Sequence, residues 1–152
     1  MSQFELSDED TKALAASLFN RTWELIDLPE RTEAEELEMI HSAHASRLHW
    51  QKVGGPQQWA IGEWQCARVY CEVGFPESAI FHAQACLEIV ESNEVPIWMH
   101  ASVFEVLARS YWAAEDLDLA KLARGRARQL LPKIEDAQER KIIEDQLAEL
   151  TF

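Results

Sequence analysis

Two groups of residues have the types and spacing for chemistry. The first is His41-Ser-Ala-His44-Ala-Ser-Arg47-Leu-His49-Trp50, which holds three of the five histidines. On a helical wheel, His41 and His44 share a face with Leu37, Ile40, Ala45 and Leu48, so both are expected to point inward. Glu38 lies three residues before His41, a carboxylate and imidazole pair of the kind that di-iron bundles aim at their cores. No second Glu-x-x-His occurs in the chain. Glu38, His41 and His44 are therefore short of a two-metal site, and stand as candidates for a single zinc or iron ion. The competing reading is a pair of hydrogen-bonded core histidines that fix helix packing.

The second group is Trp64, Arg68 and Cys71, spaced i, i+4, i+7, with Glu105, Arg109 and Trp112 in the same positions 41 residues later. On two neighbouring helices this stripe would present a pair of arginines, able to clamp a carboxylate, beside flat apolar area of the kind that dominates binding hot spots. The competing reading pairs Arg68 with Glu72 and Arg109 with Glu105, and uses the tryptophans as packing. Catalysis finds no support: the chain has no glycine-rich phosphate loop, no G-x-S-x-G and no H-E-x-x-H, and Cys71 and His82 have no recognisable motif around them. No catalytic residue and no cofactor is expected.

These side chains must be positioned by helices, because no segment alternates as a strand would. Ser7 with Asp8, Glu9 and Asp10 opens a first helix that runs to about Leu28, before Pro29. Thr32 and Glu35 form a capping box for a second helix, which runs to about Val53 and is closed by Gly54 and Gly55. Pro56 begins a third helix through Val73; Gly74 can cap it left-handed and Pro76 begins a fourth, to about Glu91. A fifth spans roughly Pro96 to Ala114, Asp116 caps a sixth, and after Pro132 an amphipathic seventh carries Ile134, Ile142, Ile143, Leu147 and Leu150. Short connections between seven helices imply antiparallel neighbours.

The helices also repeat. Ala67-Arg68-Val69-Tyr70 recurs as Ala108-Arg109-Ser110-Tyr111, and the same offset of 41 carries Ala79 onto Ala120. Small residues recur on the second helix of each unit, as Ala79, Ala83 and Cys86 and then as Ala120, Ala123 and Ala127, which lets paired helices approach closely. Leu107, Ala108, Tyr111, Ala120, Ala127 and Pro132 resemble the signature of the tetratricopeptide repeat family in relative spacing. Cys66 replaces the family's leucine in the earlier unit, and 41 exceeds the family's usual 34 residues. The resemblance implies an all-α stack of helical hairpins: a divergent one over residues 7–53, then 56–91 and 96–132, with a capping helix over 133–152, all in one domain spanning residues 1–152. It also implies a concave groove lined by the first helix of each hairpin, where Trp64, Arg68, Cys71, Glu105, Arg109 and Trp112 would face a partner.

Composition limits the partners. The 27 acidic against 14 basic residues give a net charge of −13, which repels nucleic-acid phosphates and anionic lipid. No apolar run approaches the length of a membrane span, and the acidic stretch Met1 to Asp10 is unlike a signal peptide. Three cysteines, Cys66, Cys71 and Cys86, without a CxxC pair suggest neither a disulfide framework nor a thiolate zinc site. The function expected is a cytoplasmic, non-catalytic module that binds a protein or peptide segment, with no nucleic acid and no membrane partner. The alternatives are a metal-binding bundle at Glu38, His41 and His44, or a scaffold whose tryptophan-bearing surfaces join identical chains as a homodimer. The deciding observation is whether the groove is open or filled by the chain's own last helix.

Overall fold

The computed structural model describes residues 4–152, so Met1 to Gln3 of the acidic leading stretch lie outside the description. The described chain forms α1 (Asp8–Ile26), α2 (Glu33–Val53), α3 (Pro56–Val73), α4 (Pro76–Glu91), α5 (Ile97–Ala113), α6 (Leu117–Leu130), a 3-10 turn (Leu131–Lys133) and α7 (Ala137–Ala148). Among the described residues there is no strand. The helix starts follow the local chemistry. Ser7 accepts from the Asp10 amide at 3.1 Å, and Thr32 and Glu35 close their capping box at 3.2 and 2.8 Å.

The repeat is visible in the turns. Gly74 takes the left-handed conformation at φ 82°, and 41 residues on Glu115 takes it at φ 61°. Both turns close with the same six-residue hydrogen bond, Phe75 N to Tyr70 O and Asp116 N to Tyr111 O, each at 2.9 Å. Two residues that lack any resemblance as side chains therefore occupy one backbone position of a repeated unit.

Neighbouring helices pack in chain order from α1 to α6, and α3 also packs on α5 and, more lightly, on α1. Small residues make these approaches close: Ala60, Ala67, Ala83, Cys86, Ala101, Ala108, Ala123 and Ala127 are all buried at the main core, with Val103, Val106 and Leu107 between them. A smaller core of Leu25, Met39, Cys66 and Val69 joins α1, α2 and α3. At the α2–α3 crossing a β-carbon on Gly62 would lie 2.6 Å from Arg47 Cδ and 3.3 Å from Arg47 Cα. Only hydrogen fits there.

The structure corrects the expected inward face of α2. The inward face of α2 is Met39, Ser42, Ala43 and Ser46, while Leu37 and Leu48 are 52% and 62% exposed and His41 is exposed. Close packing selects the face with small side chains: Ser46 Oγ donates to the Ala15 carbonyl of α1 at 2.8 Å, which a leucine-bearing face would not permit. The last helix, α7, packs chiefly on α5, and Ile143 and Leu147 of α7 with Leu150 after it are buried in the main core. Among the described residues no helix is long and apolar enough to cross a membrane.

Candidate functional site

The face made by α1, α3 and α5 holds the six residues singled out by the 41-residue register, and α7 with the residues after it lies over part of that face. Trp64, Arg68, Glu105 and Arg109 are buried, and Cys71 and Trp112 partly so; the stripe expected to be exposed is covered. Arg109 donates to Glu105 Oε1 through Nε at 2.8 Å, and its Nη2 lies 2.7 Å from the same oxygen. Arg68 Nε donates to Glu72 at 2.9 Å, and Arg31 reaches the other oxygen of Glu72 at 3.1 Å.

Both arginines also converge on one carboxylate. Glu149 Oε2 lies 3.4 Å from Arg68 Nη2 and 3.0 Å from Arg109 Nη2, and Arg109 donates to the Gln146 carbonyl at 3.1 Å. The segment continues to Phe152, whose ring meets Trp112 with centroids 5.3 Å apart and lies 4.0 Å beneath the Arg124 guanidinium. The result is a charge ladder, Arg31, Glu72, Arg68, Glu149, Arg109, Glu105, in which half the rungs are cationic. Complete burial pushes the Glu105 carboxyl up, opposed by the adjacent guanidinium, while the neighbouring carboxylates hold Arg109 above its ordinary value. Cys71 rests 3.6 Å from the Ser110 hydroxyl, and burial pushes its thiol up to about 11, which disfavours the thiolate.

Beside α7 the same face stays open. A cavity of about 400 Å³ lies between Phe19 and Trp23 of α1, Ile61 and Trp64 of α3, Trp98 and Ser102 of α5, and Ile142 and Gln146 of α7. Trp23 and Trp64 meet at 5.6 Å between centroids, tilted by 31°, and the Trp64 indole donates to the Ser102 carbonyl at 3.1 Å. Its walls are almost wholly carbon.

His44 and His82 lie elsewhere, between α2, α3 and α4. His44 Nε2 shares a hydrogen bond of 2.8 Å with the Tyr70 hydroxyl, and the ring of His82 stacks on Tyr70 at 5.5 Å and meets His44 edge-on at 5.1 Å. Glu63 accepts from His82 Nδ1 at 2.7 Å and from Arg47 Nε at 3.0 Å. Burial and the neighbouring imidazole of His82 hold His44 below its ordinary value, and Glu63 is held low by His82 and Arg47 against its own burial. Glu38 is on the surface, bound by Arg21 at 2.9 and 3.0 Å, and His41 is exposed. The structure therefore does not bring Glu38, His41 and His44 together, and no group of three or more metal-ligating side chains occurs among the described residues.

Glu149, Phe152 and the cavity were missed in the sequence, and so was the Glu63, His82, Tyr70 cluster. Only Glu149 carried a usable signal, as the carboxylate one turn past Asp145 on a helix whose apolar face needed a surface. No family model matches the chain, and neither a curated protein nor a solved structure matches it.

Proposed function

We propose that the chain is a tetratricopeptide-like, non-catalytic recognition module that binds a protein or peptide segment on the face formed by α1, α3 and α5. The observation that carries this reading is the seat of Glu149. Two arginines in repeat register converge on a single carboxylate that is 51% exposed, and its segment ends in an aromatic side chain held by Trp112 and Arg124. A partner segment with an acidic residue followed by an aromatic one would find the same donors once Glu149 leaves, and a bidentate or paired guanidinium contact gives such a segment its direction. A cytoplasmic location belongs to the same reading.

The test is fluorescence anisotropy with a labelled peptide of sequence IEDQLAELTF, added to the full chain carrying Glu149→Ala. Adding Arg68→Ala to that background should weaken binding by about tenfold, the scale of one charge-assisted contact. Arg68 is the safer of the two arginines to remove, because Glu72 keeps Arg31. Equal affinity with and without Arg68 would dispose of the arginine-pair reading.

A second reading, self-association, is favoured by one observation. Phe81 is 68% exposed and packs edge-on against the His82 ring, and Phe75, also exposed, packs edge-on against the Tyr70 ring on which His82 stacks. Light scattering of wild type and Phe81→Glu across a hundredfold concentration range separates the two: a homodimer through this patch loses half its mass in the variant, and a monomer shows no change.

A further inference from the structure

We infer that the cavity between α1 and α7 is a binding site for a small, flat, uncharged aromatic molecule that carries one hydrogen-bond donor. The site is distinct from the arginine pair and needs no displacement of α7.

Size and wall chemistry give the first half of this inference. At about 400 Å³ the cavity lies within the range of small-molecule sites, and its lining of Phe19, Trp23, Ile61, Trp64, Trp98 and Ile142 offers ring faces and branched carbon. Burying a drug-sized aromatic body against such walls removes apolar area from water on both partners. Trp23 and Trp64 are already held in place: Arg68, outside the cavity, lies 5.9 Å over the Trp23 ring, and the Trp64 indole is tied to the Ser102 carbonyl in the cavity wall. A preformed wall loses little entropy on binding.

The polar group that fixes orientation is Gln146. It lines the cavity, its main-chain carbonyl is anchored by Arg109, and its side-chain Oε1 is buried with no hydrogen-bond donor in reach. That acceptor is short of a donor, so a turn of the Gln146 side chain that brings Oε1 to the cavity wall lets a ligand N–H or O–H supply one. Charge decides the rest. Glu139 borders the cavity, the whole chain carries −13, and no cationic side chain lines the walls. An anion would enter against this field and find no partner, which excludes fatty acids, acyl phosphates and nucleotides.

Two fluorescent probes with one aromatic frame test both halves. N-phenyl-1-naphthylamine is neutral with a single N–H; 8-anilinonaphthalene-1-sulfonate adds an anionic group. The neutral probe should bind the full wild-type chain saturably at one per chain, with energy transfer from tryptophan, and at least about tenfold more tightly than the sulfonate. Ile142→Trp fills the mouth from a side chain that is 57% exposed, so the fold should tolerate it while affinity falls at least about tenfold. If that variant unfolds, Ile61→Trp fills the cavity from the opposite wall and must give the same loss. Gln146→Leu keeps the shape and should weaken the neutral probe several-fold. Non-saturable binding, equal affinity for the two probes, or full affinity in a folded cavity-filled variant would each overturn the assignment. None of these results bears on the arginine pair, whose peptide is read separately.

Discussion

Replacing Arg109 by Met should destabilise the protein by about 3–5 kcal/mol at pH 7, the usual cost of stripping one partner from a buried ion pair. Glu105 has no exposed surface, its Oε1 takes both Arg109 contacts, and its Oε2 has no other donor. Without the guanidinium the carboxyl must stay charged among apolar groups or take a proton. Protonating a carboxyl of ordinary pKa about 4.3 at pH 7 costs about 3.7 kcal/mol, which caps this part of the loss. The contacts to Glu149 and the Gln146 carbonyl add about 1 kcal/mol, because both partners regain water. For a chain of this size the melting temperature should fall by roughly 8–15 °C.

The pH dependence identifies the cause. In the variant Glu105 is raised in the folded state, so the native chain holds a proton that the unfolded chain releases, and stability falls as pH rises past about 4.3. At pH 5 the protonation cost is only about 1 kcal/mol. Urea unfolding followed by circular dichroism at pH 5 and pH 7 should therefore show a smaller deficit at the lower pH. The double variant Glu105→Leu, Arg109→Met should regain most of the loss. A deficit independent of pH, or a double variant no more stable than the single, refutes the reasoning.

Other consequences are local. Gly74→Ala places a β-carbon at φ 82° and should cost about 1–2 kcal/mol by urea titration, whereas Glu115→Gly at the same position of the next hairpin should be neutral or gain up to about 1 kcal/mol; matching signs would contradict the shared turn. Thr32→Ala removes the capping box of α2 and should lose about 1 kcal/mol, read as a lower urea midpoint with an unchanged slope. His44, lowered by burial and by His82, keeps its proton off in the folded chain after the unfolded chain has accepted one. Stability should fall as pH drops below about 6.5 and go on falling down to the folded His44 value. His41, Glu63 and His82 surround the ring, so the slope is assigned by comparing wild type with His44→Gln; the same slope in both would place its origin elsewhere.

The helices were legible because their ends are written in residues that act alone. Pro56 and Pro76 fix their own φ, Gly74 accepts the left-handed φ that other residues resist, and Thr32 with Glu35 satisfies amides within one turn. Which face of α2 turns inward was not legible, since the wheel weighs hydrophobicity and the packing weighed size. Leu37 and Leu48 are the more apolar residues, but Ser42, Ala43 and Ser46 let α1 come within hydrogen-bond reach. Burial of a small polar residue that finds a partner cost less than holding two helices apart. Once Met39, Ala43 and Ser46 face the core, Glu38 and His41 must face water, and the metal constellation dissolves.

The site was half legible for a reason that also guides its test. The offset that aligns Arg68 with Arg109 says that two guanidiniums share a face, and a pair of buried cations needs carboxylates. Sequence spacing supplies Glu72 and Glu105, which are one turn away, and both are found there. It cannot supply Glu149, which is 81 residues from Arg68, because where α7 lands depends on which surface its Ile143, Leu147 and Leu150 stripe can bury against. An arginine pair satisfied within the chain and one waiting for a partner demand the same chemistry, a carboxylate at about 3 Å. The difference is kinetic and energetic: Glu105 is fully buried and cannot leave without unfolding, whereas Glu149 is half in water on a short helix and can. Hydrogen exchange should separate them, with the amides of α7 near Glu149 opening well below the free energy of global unfolding and those of α5 around Glu105 opening only with it. If α7 exchanges as slowly as α5, its segment is a fixed part of the core and the arginines are closed to any partner.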